Sequence, residues 1–170
     1  MRLTLLVFLF ALLSGSIFAQ TEDDKLNRRQ RQHLNIFVKT QYAIREGKVP
    51  SDQIFKAFYS FIAASNKEAI SGNKDLAQKL IERANKALVE GKTDVAQRLE
   101  LGANLYNSMA KLNEDIAKAF ETNNSVRIGQ LIQQYSMIET EMVKAGATVP
   151  PRDWLTPSEA EKLMIARARK

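Results

Sequence analysis

From residue 25 onward, apolar residues recur at spacings of three and four with polar residues between them. Such spacing gathers apolar side chains on one face of an α-helix. Residues 25–47 show it with Leu26, Leu34, Phe37, Val38 and Tyr42, and Gly47 and Pro50 end the stretch. Residues 52–70 place Ile54, Phe55, Phe58, Phe61 and Ile62 on one stripe behind a Ser51-Asp52 cap. Residues 74–90 follow with Leu76, Ala77, Leu80, Ile81, Ala84, Ala87 and Leu88. The longest stretch, 93–121, carries Val95, Leu99, Ala103, Tyr106, Met109, Ala110, Ile116, Ala117 and Phe120. A helix of that span is about 40 Å long at ~1.5 Å per residue. Residues 125–146 add Ile128, Leu131, Ile132, Tyr135, Ile138 and Met142, and Gly146 stops them. Pro150 and Pro151 lack the N–H that a continuing helix needs, so 147–153 reads as an extended linker. Thr156-Pro157-Ser158-Glu159 has the order of a capping box with Pro at the first helical position, which starts a last helix. No alternating β pattern is visible. The expected fold is all-α: antiparallel helical hairpins forming an elongated bundle of about five helices plus a linked C-terminal helix.

An internal repeat sharpens this reading. Gly72-Asn73-Lys74-Asp75-Leu76-Ala77-Gln78-Lys79-Leu80 recurs 19 residues later as Gly91-Lys92-Thr93-Asp94-Val95-Ala96-Gln97-Arg98-Leu99. In both copies the Gly is expected just past a helix end, and the Asp in the first turn of the next helix, where it complements the helix dipole. Turns this short fold consecutive helices antiparallel.

The N-terminus follows a different rule. Arg2 precedes a nearly unbroken apolar run from Leu3 to Leu13, and Ser14-Gly15-Ser16-Ile17-Phe18-Ala19 follows. This is the order of a secretory signal peptide cleaved after Ala19. A membrane anchor would need about 20 apolar residues. Three parts are therefore expected: a signal peptide at 1–19, a helical bundle at 20–149, and a linker with a basic helix at 150–170. The mature chain is expected to be exported, periplasmic or secreted, with no integral membrane segment.

Composition narrows the chemistry. The 170 residues hold one His and no Cys, which excludes disulfide scaffolds, thiol nucleophiles and cysteine-ligated metals. His33 has no Asp or Glu three or four residues away to orient it, and reads as a solvated or interface histidine. Glu114 and Asp115 are adjacent and diverge by about 100° on a helix, so spacing does not make them a catalytic pair. No P-loop, dinucleotide-binding glycine pattern, zincin motif or EF-hand loop is present. The chain is read as non-enzymatic, with no catalytic, cofactor-binding or metal-binding residue assigned. The aromatic cluster Phe55, Phe58, Tyr59 and Phe61 reads either as core or as the lining of an apolar-ligand pocket. Asn113 falls on an apolar stripe, where a buried Asn acts as a register or pairing device and points to oligomerisation. Asn123-Asn124-Ser125 is a formal glycosylation sequon in an expected turn.

The formal charge is +6, and it is uneven. Residues 20–48 hold seven basic and four acidic side chains, and residues 150–170 hold five and three, while the middle is balanced. The partner-binding candidates are Arg28, Arg29, Arg31, Arg152, Trp154, Arg167 and Arg169. Trp154, the single Trp, either pins the linker to the body or anchors a partner. For an exported chain the expected partner is an acidic protein, with anionic head groups or glycans as other polyanions and no nucleic acid.

Leu26-Asn27-Arg28-Arg29-Gln30 and Leu155-Thr156-Pro157-Ser158-Glu159 each resemble the Leu-Thr-x-x-Gln motif of the Spy and CpxP family of periplasmic stress chaperones. Asn27 stands where that motif has Thr, and Glu159 where it has Gln. The resemblance implies a small, basic, cradle-shaped helical dimer that shields unfolding clients. The residues themselves imply an exported helical interaction or scaffold protein, an accessory or structural subunit of an envelope or extracellular assembly. A lesser expectation is a carrier of an apolar ligand at the aromatic cluster.

Overall fold

The computed structural model describes residues 25–169, so the signal segment expected at 1–19 lies outside the described residues. Among these residues five α-helices occur in order: α1 (Arg28–Arg45), α2 (Ser60–Val89), α3 (Thr93–Glu121), α4 (Ser125–Lys144) and α5 (Pro157–Ala168). A π-helical turn, Phe55–Tyr59, runs straight into α2. Among the described residues there is no strand, and no helix is long and apolar enough to cross a membrane. The all-α expectation holds.

The longest contact is between α2 and α3. Buried positions on α2 include Asn66, Asn73, Ala77, Ala84 and Ala87; those on α3 include Ala96, Ala103, Tyr106, Ala110 and Asn113. With half-buried Leu80 and Leu99, these positions step by three and four, the spacing of a coiled-coil seam. Lys74 Nζ pairs with Glu114 Oε1 at 2.7 Å, and a Cβ on Gly102 would stand 3.2 Å from Leu80 Cδ1. Both contacts require α2 and α3 to run antiparallel. Small side chains on the seam let the two backbones approach closely.

The stretches 52–70 and 74–90, expected as two helices, are one. Gly72 lies inside α2 and is not among the glycines with positive φ, whereas Gly91, its counterpart in the repeat, has φ +73° and ends α2. The repeat therefore does not mark two successive hairpins. A glycine inside a helix costs about 1 kcal/mol relative to Ala. Packing of α3 along α2 on both sides of residue 72 outweighs that cost.

The main core is built from Leu34 and Phe37 of α1, Phe58 of the π-turn, Ile62 of α2, Met109 and Ile116 of α3, and Ile128, Leu131 and Met142 of α4. Phe58 is 1 % exposed, and burying such a ring stabilises by ~2–3 kcal/mol. The aromatic cluster thus serves the core: Phe55, Tyr59 and Phe61 are half-buried and pack against it. Trp154, Leu155, Ala160 and Leu163 belong to the same core, so the 150–169 stretch is packed into the body. α4, with 20 residues, is shorter than α3, with 29, and starts from the same turn, Thr122–Asn124. It ends short of the far turn of the α2–α3 hairpin. There a second, smaller core of Ala84, Ala87 and Ala96, with Leu99 against it, holds the two helices together.

Candidate functional site

α1 is the most one-sided element in charge. Between Arg28 and Arg45 it carries five basic side chains and no carboxylate. Three of them, Arg28, Arg29 and Arg31, crowd its N-terminal end, with no acidic residue in the first turn. The helix dipole makes a cation unfavourable there by roughly 0.3–1 kcal/mol each. Asn27 starts the helix nonetheless. Its side chain accepts from Gln30 N at 2.8 Å, while Gln30 Oε1 accepts from Asn27 N at 3.0 Å, a complete capping box.

The arginines divide into two groups. Arg29 is half-buried and pairs with Glu68 of α2 and with Asp153 at 3.4 Å. The Glu68 carboxylate raises the Arg29 guanidinium above its ordinary value, and Arg29 in turn lowers Glu68. Arg28 and Arg31 are exposed, with no ion pair or hydrogen bond from their side chains among the described residues. They line a shallow depression with Gln32, Asn35, Ile36 and Lys39, one stripe along the outside of α1. Arg167 of α5 donates to Asn35 Oδ1 at 2.9 Å and so borders this stripe, and Arg169 is exposed at the end of α5.

Arg152 is instead enclosed. It pairs with Glu139 of α4 at 2.9 Å and makes a two-pronged bond to Glu159, at 2.9 and 3.2 Å. Its guanidinium lies 4.9 Å from the centre of the Trp154 ring, which meets Tyr135 edge-on at 5.1 Å. Burial pushes Glu139 up against the pull of Arg152. Burial also works on Glu159, but bonds from Arg152 and Thr156 overcome it and leave this carboxyl below its usual value. Burial, reinforced by Glu139, pushes the Tyr135 phenol up to about 12. Glu159 serves two purposes, since it also completes the α5 capping box, accepting from Thr156 N at 2.7 Å.

His33 corrects the expectation of a solvated or interface histidine. It is fully buried, stacked between Phe58 at 4.0 Å and Phe61 at 4.5 Å. Its Nε2 lies 3.0 Å from Phe58 O, and its Nδ1 accepts from Leu155 N at 3.0 Å. Residue 33 lies beside Leu34 and one turn before Phe37 on the buried side of α1. That position was a readable hint of burial; the two partners, 25 and 122 residues away, were not.

The seven sequence-chosen residues therefore do not form one patch. Arg28, Arg31, Arg167 and Arg169 are borne by the neighbouring helices α1 and α5, and Lys39 extends their charge. Arg29 and Arg152 are engaged by carboxylates of this chain. Trp154, at 2 % exposure, takes the pinning role and is not an accessible anchor. Among the described residues, no group of three or more His, Asp or Glu is placed to hold a metal ion. No family model, no curated protein and no solved structure matches this chain. The resemblance to the Spy and CpxP chaperones thus rests on two segments, and both are capping boxes that start α1 and α5.

Proposed function

We propose that this chain is an exported, non-catalytic helical interaction protein, an accessory or structural subunit that seats an acidic protein partner on the outer face of α1. The observation that carries this reading is the charge of that face: Arg28, Arg31 and Lys39 stand on it without ion pairs, on a helix with no carboxylate. Two of these cations sit at a helix N-terminus, where they disfavour the helix they belong to. Their placement makes sense as a surface for an acidic partner, with guanidinium forks that match carboxylates.

The test separates binding from folding. The double variant Arg28→Glu, Arg31→Glu places acids at the helix N-terminus and should raise stability by about 0.5–1 kcal/mol. The same variant should weaken capture of the native partner roughly tenfold or more, and salt should weaken capture by the wild type. Crosslinking and pull-down from the native source, with thermal unfolding in parallel, reads both. A strictly monomeric wild type that co-purifies with nothing, or a double variant that binds as well as wild type, would overturn the reading.

A further inference from the structure

We propose that His33 is a pH-sensitive latch: the segment from Trp154 through α5 is docked while the imidazole is neutral and is released when the ring takes a second proton. The geometry admits one protonation state. Phe58 O can only accept, so Nε2 carries the proton; the Leu155 amide can only donate, so Nδ1 must be bare. A proton on Nδ1 would set N–H against N–H and leave the Leu155 amide buried without a partner. Release of the segment removes that conflict and lets water reach the ring.

The surroundings do not favour the imidazolium. On one side Arg29 lies 5.8 Å from the centre of Phe61, so a cation already sits one ring away. Four carboxylates on the elements around the stack are ion-paired: Glu68 of α2, Asp153 of the linker, Glu159 of α5 and Glu139 of α4. The first two are held by Arg29 and the last two by Arg152. Tyr59 is edge-on to Phe58 with its phenol raised by burial, and Glu161 of α5 and Arg45 of α1 line the groove beside these two rings. Burial, partly opposed by the Phe58 carbonyl, lowers His33 from its usual 6.5 to about 4. A group depressed in the docked state takes its proton preferentially in the released state. The latch is therefore fully closed above pH 6.5 and weakens as the pH falls toward 4.

Release stays local because of what holds each part. Besides the latch and its packing, the segment and the linker before it are tied to α1 by polar contacts alone: Asn27 and Gln30 bond Arg152 O at 3.2 and 2.9 Å, Asn27 and Arg29 reach the Asp153 carboxylate at 3.3 and 3.4 Å, and Arg167 bonds Asn35 at 2.9 Å, while Arg152 pairs with Glu139 of α4 at 2.9 Å. The α2–α3 seam contains no histidine. The inference is independent of the docking face of α1 and stands or falls without it.

Trp154 is the sole Trp and reports directly. In the full mature chain its fluorescence should shift to the red in a one-proton step centred between pH 6.5 and 4, while most of the helical circular dichroism persists. Hydrogen-exchange protection of the Leu155 amide, corrected for intrinsic rate, should fall at least tenfold over the same range. His33→Gln keeps an acceptor for Leu155 and a donor for Phe58 but does not titrate, so it should abolish the step. Glu139→Gln removes the raised carboxyl beside Arg152 and should leave the step in place. Constant Trp154 fluorescence down to pH 4 would overturn the latch. So would an unchanged step in His33→Gln, loss of the step in Glu139→Gln, or simultaneous loss of the whole helical signal. Should His33→Gln not fold, Leu155 protection in the wild type decides, and constant protection sinks the proposal.

Discussion

Gly72 and Gly91 hold the same place in two copies of one pattern, and the fold uses them in opposite ways. Gly91 has φ +73°, a conformation that a Cβ strains, and it turns the chain from α2 into α3. Gly72 is an ordinary helical residue, exposed, with nothing within 4 Å of the place where a Cβ would stand. Gly72→Ala should therefore stabilise by ~0.5–1 kcal/mol, since it restricts the unfolded chain and meets no obstacle. For a chain of this length that is a rise of roughly 1–4 °C in Tm. Gly91→Ala should lower stability by about 1 kcal/mol or more. Thermal unfolding of the two single variants checks both signs. Equal shifts would mean that residue 72 ends a helix after all.

At the scale of elements, the α2–α3 seam contains a polar break. Asn113 is fully buried with neither side-chain atom hydrogen-bonded, and Asn73 Nδ2 on the facing helix is also without a partner. The Lys74–Glu114 bridge, one residue along on each helix, shows that the two asparagines lie at the same level. Their burial fits the register role expected for Asn113, but the seam joins two helices of one chain. Unsatisfied buried amides cost on the order of 1–3 kcal/mol. Replacing both, Asn73→Ala with Asn113→Leu, keeps the local volume nearly constant and should raise stability by roughly that amount. The accompanying loss should be in uniqueness of register, because a seam with fewer buried polar positions slides more readily. Denaturant unfolding gives the first quantity; broadened amide resonances along α2 and α3 report the second. A net destabilisation would show that the pair is satisfied in solution.

On the scale of the whole molecule, stability is graded along the long axis. At one end α1, the π-turn, α4 and the 150–169 segment all contribute to a core of large side chains. At the other, α2 and α3 continue beyond α4 and are joined by three alanines and Leu99. Val89 is 90 % exposed there, and Leu88, Val95 and Leu101 are exposed as well. Less buried apolar surface means a lower free energy of local opening. Amides of 84–89 and 96–101 are expected to exchange at least tenfold faster, after intrinsic correction, than those of 105–116. Equal protection would show that the hairpin opens only with the whole protein.

Periodicity and local chemistry carried the helices. The three-and-four spacing marked the stretches that form α1 to α4, although it divided α2 in two, and the Thr156-Glu159 box starts α5 as expected. Asn123, with φ 55°, turns the chain at the expected place between α3 and α4, and Asn124 caps α4. These features depend on neighbours within a few residues, so they can be read along the chain without the fold. Continuity through Gly72, the burial of His33, the capture of Arg29 by Glu68 and of Arg152 by Glu139, and the inward turn of Trp154 were decided elsewhere. Each depends on a group brought up by the tertiary fold: Glu68 lies 39 residues beyond Arg29, and Leu155 lies 122 beyond His33. A run of arginines looks the same in sequence whether its charges face water or a carboxylate of the same chain. Only the packing of α1 against α2 and the C-terminal segment separates Arg28 and Arg31, which remain open to a partner, from Arg29, whose charge is met inside the molecule.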